Sequence, residues 1–235
     1  MIDKACLFWY ITHIMSRERK NLDIKQADLW YLVGLITSDG YLSKDGRHID
    51  ITSKEYDFLQ NIVNRLKLNN KVTPKTSGSG GTAYRIQIAN QNFYDFLLSI
   101  ELMPNKSLVL RDIDVPQQYF IDFLRGVIDG DGSIRQWVHP SNAGKQWSLR
   151  IYSSSKIFIV WLRQQIEVLL NARGKLHEDE KTTHTLKYGK MAAREILSKC
   201  YYEGCFGLQR KIALAKDCAL SDRGWSKSKT VITCL

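Results

Sequence analysis

Cysteine is sparse and unpatterned in this 235-residue chain. Cys6, Cys200, Cys205, Cys218 and Cys234 form an odd set with no CxxC pair. That excludes a disulfide scaffold and a zinc site as working readings, and it points to a reducing, intracellular compartment. Long apolar runs are missing too. The longest, ACLFWYITHIM, is interrupted by Thr12 and His13 and is too short to span a bilayer. It also lacks the basic start and small-residue cleavage site of a signal peptide, so it reads as a helix packed on the domain or as an extension, and no membrane partner is expected. Acid is the other shortage: 24 Asp and Glu stand against 34 Lys and Arg, a formal net charge of +10. Such an excess speaks of partners rather than fold, and nucleic acid is the first candidate. What remains is ordinary for a globular protein, with 44% hydrophobic and 25% charged residues, enough for one large core or two small ones.

What the sequence does contain is a repeat. LVGLITSDG (residues 32–40) and LRGVIDGDG (residues 124–132) are each an apolar helical run with small residues, closing on Asp-Gly. The similarity extends well past them. In the first half, Tyr41-Leu42 and HIDITSK read as strands across a turn, KEYDFLQNIVNRLKL as a helix, NKVTPKT and TAYRIQIAN as a second strand pair, and QNFYDFLLSIEL as a helix. In the second half, SIRQWVH and WSLRIYSSS, KIFIVWLRQQIEVLLN, GKLHEDE and HTLKYGK, then MAAREILSKCYYE follow the same order, with QRKIALAKDCAL as a final helix. Laying ITSKEYDFLQNI over SSSKIFIVWLRQQI puts Ser-Lys at each helix start. The unit is αββαββα, used twice: an α+β chain whose antiparallel sheets carry helices on one face. The expected divisions are an extension over 1–27, halves over 28–113 and 114–220 joined near Pro116, and a basic tail over 221–235.

Within each motif two small residues sit four apart, Gly34 and Ser38, then Gly126 and Gly130. They share a helix face and allow close backbone approach, so each motif helix has the other as its simplest partner. Gly40 and Gly132 are expected to end these helices in the left-handed conformation. Asp39 and Asp131 then lie at the C-termini of two parallel helices, where the macrodipole and each other's charge both disfavour a carboxylate. A divalent cation removes that conflict, with the backbone oxygens of Ser38 and Gly130 as further hard ligands, and such a set suits Mg²⁺. DGDGS is no calcium loop, because Ile134 stands where that loop needs glycine and Pro140 where it needs glutamate.

These two motifs resemble the LAGLIDADG sequence of the homing endonucleases, in the single-chain form with two motifs. LRGVIDGDG is a close match, whereas LVGLITSDG departs at Val33, Thr37 and Ser38 but keeps the later acid. The resemblance spans about residues 28–218. It implies two pseudo-twofold-related αββαββα units forming a saddle-shaped antiparallel-sheet surface on double-stranded DNA. It also implies metal-dependent cleavage of both strands with 3′ overhangs, and a basic residue beside each metal. Lys106 in MPNKSLVL and Lys211 in GLQRKIALAK fit that role, with Arg210 a neighbouring competitor. Asp39, Asp131, Lys106 and Lys211 are thus the expected catalytic set. Mg²⁺ is the expected cofactor, with Mn²⁺ as a substitute and Ca²⁺ supporting binding without cleavage. A group I intron RNA maturase, with folded RNA as partner, and a non-cleaving DNA-binding protein are the alternatives on the same fold. An intein setting is not expected from Met1 and the final ITCL.

Strand alternation nominates the DNA-facing side chains. Arg85 and Gln87 oppose Tyr84, Ile86 and Ile88; Arg135, Trp137 and His139 share a face; Arg150 and Tyr152 oppose Leu149 and Ile151. Lys175 and His177 flank Leu176, and Lys187 adjoins Leu186. Arg and Gln suit guanine and adenine edges, while Lys71, Lys75 and Lys145 suit phosphates. Gln87 and Ser153 are also candidates for the catalytic pocket. Because the halves differ, the expected target is asymmetric and spans roughly 20 bp, bound by a monomer. The setting expected is the cytoplasm of a prokaryote or the matrix of an organelle.

Overall fold

A computed structural model describes residues 22–23, 26–76, 81–106, 108–141, 144–178 and 183–221. The N-terminal stretch expected to pack as a helix and the basic tail beyond Ser221 lie outside the described residues. The first half runs α1 (Ala27–Asp39), β1 (Tyr41–Leu42), β2 (His48–Ser53), α2 (Tyr56–Arg65), β3 (Thr73–Thr76), β4 (Thr82–Ala89) and α3 (Gln91–Ser99). After a short 3₁₀ turn at Gln117–Tyr119 come α4 (Phe120–Asp131), β5 (Gly132–Val138), β6 (Lys145–Ser153), α5 (Lys156–Leu170), β7 (Lys175–Glu178), β8 (His184–Tyr188), α6 (Lys190–Cys200) and α7 (Gln209–Leu220). The order αββαββα occurs twice, as the sequence repeat predicts, and α7 follows the second unit.

Each half builds one antiparallel four-stranded sheet, ordered β1-β2-β4-β3 and β5-β6-β8-β7. Alternation decides which face is buried. Ile49 and Ile51 on β2, Ile86 and Ile88 on β4, Leu149 and Ile151 on β6, and Leu186 on β8 enter the core, and their neighbours face outward. Pro74 is tolerated because β3 is an edge strand with one free side. Helix α2 buries Phe58, Leu59, Ile62 and Val63 on one stripe, the face its 3.6 periodicity predicts. Asn90 and Ser155 cap α3 and α5 by accepting from the N–H of Phe93 and Phe158.

The repeat register differs by two residues from the sequence alignment. Ser53 is equivalent to Ser153, not Ser155: each ends its strand, and its hydroxyl accepts the N–H two residues on, Glu55 or Ser155, at 3.1 Å. Ser-Lys therefore does not mark both helix starts. Ser155 is instead the N-cap of α5, and its hydroxyl also donates to Leu110 O.

Helices α1 and α4 form the centre. They run side by side in the same direction: a Cβ on Gly34 would come within 2.0 Å of Phe123 O, one on Gly126 within 2.1 Å of Tyr31 O, and one on Gly130 within 2.0 Å of Ser38 Oγ. All four small residues thus lie in the contact, as the small-xxx-small spacing predicts. The two helices are almost wholly buried, and one continuous apolar core extends from them into both halves. Trp30 stacks on Tyr119 behind α1, and Phe123 meets Trp161 behind α4.

The left-handed reading of the terminal glycines is wrong. Gly40 has φ −80° and Gly132 φ −91°, both extended. Glycine is needed there for space. A Cβ would come within 2.6 Å of Ile36 Cα in one case and 2.4 Å of Ile128 O in the other, because each chain turns straight from helix into strand over its own last turn.

Candidate active site and nucleic-acid interface

The parallel packing brings Asp39 and Asp131, the last residues of α1 and α4, to one end of the helix pair. Burial is the largest cause of a raised pKa at both, and Asp131 reaches about 6. Its next cause is the charge of Asp39, opposed by Lys106 and Lys211. The four groups therefore form one electrostatic cluster.

Neither lysine is a solvated surface residue: Lys106 is 7% exposed and Lys211 3%. Their contacts are pseudo-symmetric. Lys106 Nζ donates to the carbonyl of Gly40, and Lys211 Nζ to that of Gly132 at 2.8 Å. Each ammonium thus meets the residue after its own half's acid, which supports equating KSLVLR with KIALAK. Lys211 also donates to Ile128 O at 2.6 Å and Asp129 O at 2.7 Å, capping the carbonyl end of α4. Burial lowers both lysines to about 8, against the pull of the nearby acids. Arg210 is engaged differently: its guanidinium donates to Glu55 Oε1 at 3.1 Å, joining the two halves. A cavity of about 390 Å³ opens beside Asp39, lined by Thr52, Ser53, Lys54, Glu55, Gly130 and Arg210 among others.

Among the described residues the backbone oxygens of Ser38 and Gly130 accept no hydrogen bond from beyond their own helices. Among the described residues no group of three or more His, Cys, Asp or Glu is placed to hold a metal ion, and Glu55 is a further carboxylate on the cavity beside Asp39.

A buried polar network behind Lys211 was not anticipated. Asp129 accepts from Tyr31 OH at 2.7 Å, Tyr201 OH at 2.6 Å and Leu208 N at 2.9 Å. Arg125, with 0% exposure, pairs with Asp122 at 2.8 Å and donates to Cys200 O and Phe206 O. Together they clamp residues 200–208, and Leu208 is the N-cap of the helix that carries Lys211. The first half has Val33 and Thr37 at the matching positions, and Thr37 Oγ1 merely bonds back to Val33 O. The signal was in the sequence: Arg125 and Asp129 are charged at two motif positions where the counterpart helix has Val33 and Thr37.

The strand predictions largely hold their side. Arg85 and Gln87 lie opposite buried Ile86 and Ile88, and Arg150 and Tyr152 opposite Leu149 and Ile151. Arg135 and Trp137 are exposed, as are Lys71, Lys75, Lys175 and His177; Lys187 is half-buried. Three placements change. Lys145 belongs to β6 rather than a loop and has the parity of buried Trp147, opposite that of Arg150. His139 follows the end of β5 and bonds Ser141 Oγ at 2.8 Å. Ser153 is engaged at the start of α5, as described above.

Among the described residues no helix is long and apolar enough to cross a membrane. Residues 26–101 match the family model of the LAGLIDADG-like domain. Comparison with curated proteins gives no match. Solved structures give several. The homing endonuclease I-WcaI bound to its DNA recognition sequence is 14% identical, with TM-score 0.59, over 79% of this chain and 85% of that one. The homing endonuclease I-DmoI matches in mesophilic variants at 16% identity and TM-score 0.54, over 81% and 97% of the two chains. Its complex with DNA and Ca matches at 18% identity and TM-score 0.53, with the same coverage. Full-length DUF199/WhiA from Thermatoga maritima is 16% identical, with TM-score 0.53, over 85% of this chain but only 62% of its own. At these identities the likeness shows the fold, and it agrees with the paired motifs and paired sheets: this chain is a LAGLIDADG-fold protein carrying two such units in one polypeptide.

Proposed function

We propose that the chain is a site-specific double-strand DNA endonuclease that uses Mg²⁺ to hydrolyse one phosphodiester in each strand of a long asymmetric target. One observation carries this reading: each half delivers an acid at a helix C-terminus and a buried lysine on the carbonyl that follows it. Two carboxylates forced together at the negative ends of two helices fit hard divalent cations. Asp39 and Asp131, with Ser38 O and Gly130 O, would hold them. Bound Mg²⁺ would supply a polarised water and neutralise charge on the phosphate. Mn²⁺ should substitute, and Ca²⁺ should support binding without cleavage; DNA and Ca are found together on the related I-DmoI.

The chain's own groups have defined tasks. The Lys106 and Lys211 ammoniums are held in place by backbone carbonyls, so they face a developing phosphorane charge without reorganising. The outer sheet faces hold the duplex through Arg, Lys and Gln side chains. With unlike halves in one chain, the protein works as a monomer and leaves 3′ overhangs.

Selection from a randomised duplex library tests this. Recovery of one long asymmetric site, cut in both strands in Mg²⁺ and bound uncut in Ca²⁺, is the expected result. A selected site bound in both ions and cut in neither would leave a DNA-binding protein without nuclease activity. Preference for folded intron RNA over any duplex would point to a maturase.

A further inference from the structure

The two outer sheet faces are not equally charged. On the first sheet, Tyr41, Asp50 and Gln87 stand opposite one another in one row, and Thr52, Arg85 and Thr73 in the next, with Lys75 opposite Ala83. Its two cations face one acid, and Arg85 is already engaged, with Nη1 3.6 Å from Asp50 Oδ2.

The second sheet differs in kind. Ser133, Arg150, Lys187 and Lys175 stand opposite one another across β5, β6, β8 and β7 in a single row, with Arg135 opposite Ser148 in the next. That row begins two residues after Asp131. Adjacent strands lie about 4.8 Å apart, so three cations stand within about 10 Å, close to the width of a major groove. Like charges directly opposite each other destabilise a sheet. Among the described residues none of Arg135, Arg150, Lys175 and Lys187 belongs to an ion pair. Arg150 Nε is buried with no partner, as is Arg85 Nε on the first sheet, so the two faces differ in their ion pairs and in the number of cations in the row. An isolated sheet gains nothing from this row, whereas a polyanion laid across it neutralises every member.

We infer that the second sheet is the anchoring half of the interface. Arg150, Lys187, Lys175 and Arg135 supply most of the phosphate neutralisation, so the protein grips the target half beneath β5–β8 more tightly than the half beneath β1–β4. The inference rests on duplex DNA being the partner, as proposed above.

Equilibrium binding to a random-sequence duplex across a salt series tests it, using the full chain, a Lys175→Gln/Lys187→Gln pair and a Lys75→Gln/Arg85→Gln pair. Each pair removes two charges. The first-sheet pair also frees Asp50, which biases the comparison against the inference. For the second-sheet pair the expected slope of log K against log salt is about 1.8 shallower, with about 50-fold weaker binding at 0.1 M salt. For the first-sheet pair the expected loss is less than about 10-fold. Equal losses, or a larger loss from the first sheet, would overturn the anchoring assignment while leaving DNA as partner. Failure of the unsubstituted chain to bind duplex at low salt would instead remove the DNA reading, and the inference with it. Thermal melts of both variants confirm that the comparison is between folded proteins.

Discussion

The Lys211 ammonium lies 2.8 Å from the carbonyl oxygen of Gly132, the residue after Asp131, and Lys106 makes the same contact with Gly40 after Asp39. The lysine proposed to meet substrate is therefore also a structural cap on the helix end that carries the acid. Under the proposed function, Lys211→Met removes a charge from one scissile phosphate; it also takes the Lys211 donor from three carbonyls, of which Ile128 O keeps the Gly132 N–H. Cleavage in the pocket containing Asp131 should fall by about 10²-fold. On a supercoiled plasmid carrying the selected site, nicked circle should then accumulate ahead of linear product. Linearisation at the original rate would show that Lys211 serves only as a cap.

The raised pKa of Asp131 has a consequence for stability. Its folded pKa of about 6 lies above the ordinary carboxylate value, so the native state binds a proton more tightly than the unfolded chain. The resulting penalty is fully present above about pH 6 and is relieved as pH falls toward 4. Without divalent ions, Asp131→Asn should stabilise the protein at pH 7.5 by roughly 1–2 kcal/mol and gain nothing near pH 4. Urea denaturation in EDTA at the two pH values measures this, and the same variant should not cleave.

The lysines titrate in the complementary sense. Both are lowered to about 8, so their charged forms cost native stability below that value, and the metal-free protein should grow more stable between about pH 8 and 10. Lys106→Met should flatten that rise, which the same denaturation series would detect.

Helix contact gives a graded prediction. Gly126→Ala drives a methyl against backbone atoms, 2.1 Å from Tyr31 O and 2.6 Å from Leu35 N, so the two helices must separate. A cost above about 3 kcal/mol is expected, with loss of the folded state. Gly130→Ala meets mainly the Ser38 side chain, which can shift, and should cost about 1–2 kcal/mol. Differential scanning calorimetry should rank the two in that order.

Asp129→Asn tests the clamp. The buried carboxylate accepts three hydrogen bonds, one from the N-cap of α7, and an amide cannot replace all of them. A loss of about 2–4 kcal/mol is expected. If the folded fraction is retained at low temperature, slower cleavage confined to the strand served by Lys211 should accompany it. Equal slowing of both strands would mean that the clamp supports the fold alone.

Much of this was legible in the sequence because repetition removes ambiguity. A single apolar run ending in Asp-Gly says little, but Gly34 and Ser38 recurring as Gly126 and Gly130 define a helix pair, and that pair brings the two acids together. Alternation placed Arg85 and Arg150 correctly because one side of each strand is continuously apolar. The failures have two causes: local backbone geometry that residue spacing does not show, and partners distant in sequence. Gly40 reads as a left-handed terminator until the chain is seen passing over Ile36. Lys145 reads as a loop residue until Val138 is found opposite it. Arg125 and Asp129 sit inside the motif, yet their partners are more than 70 residues away, at Tyr201 and Phe206.

The most direct measurement is cleavage of a library-selected duplex by the unsubstituted chain and by Asp39→Asn and Asp131→Asn, in Mg²⁺ and in Ca²⁺. The account predicts a staggered double-strand cut in Mg²⁺ for the unsubstituted chain alone, binding by all three proteins in Ca²⁺, and no linear product from either variant. A double-strand cut by Asp131→Asn at the unsubstituted rate would contradict it.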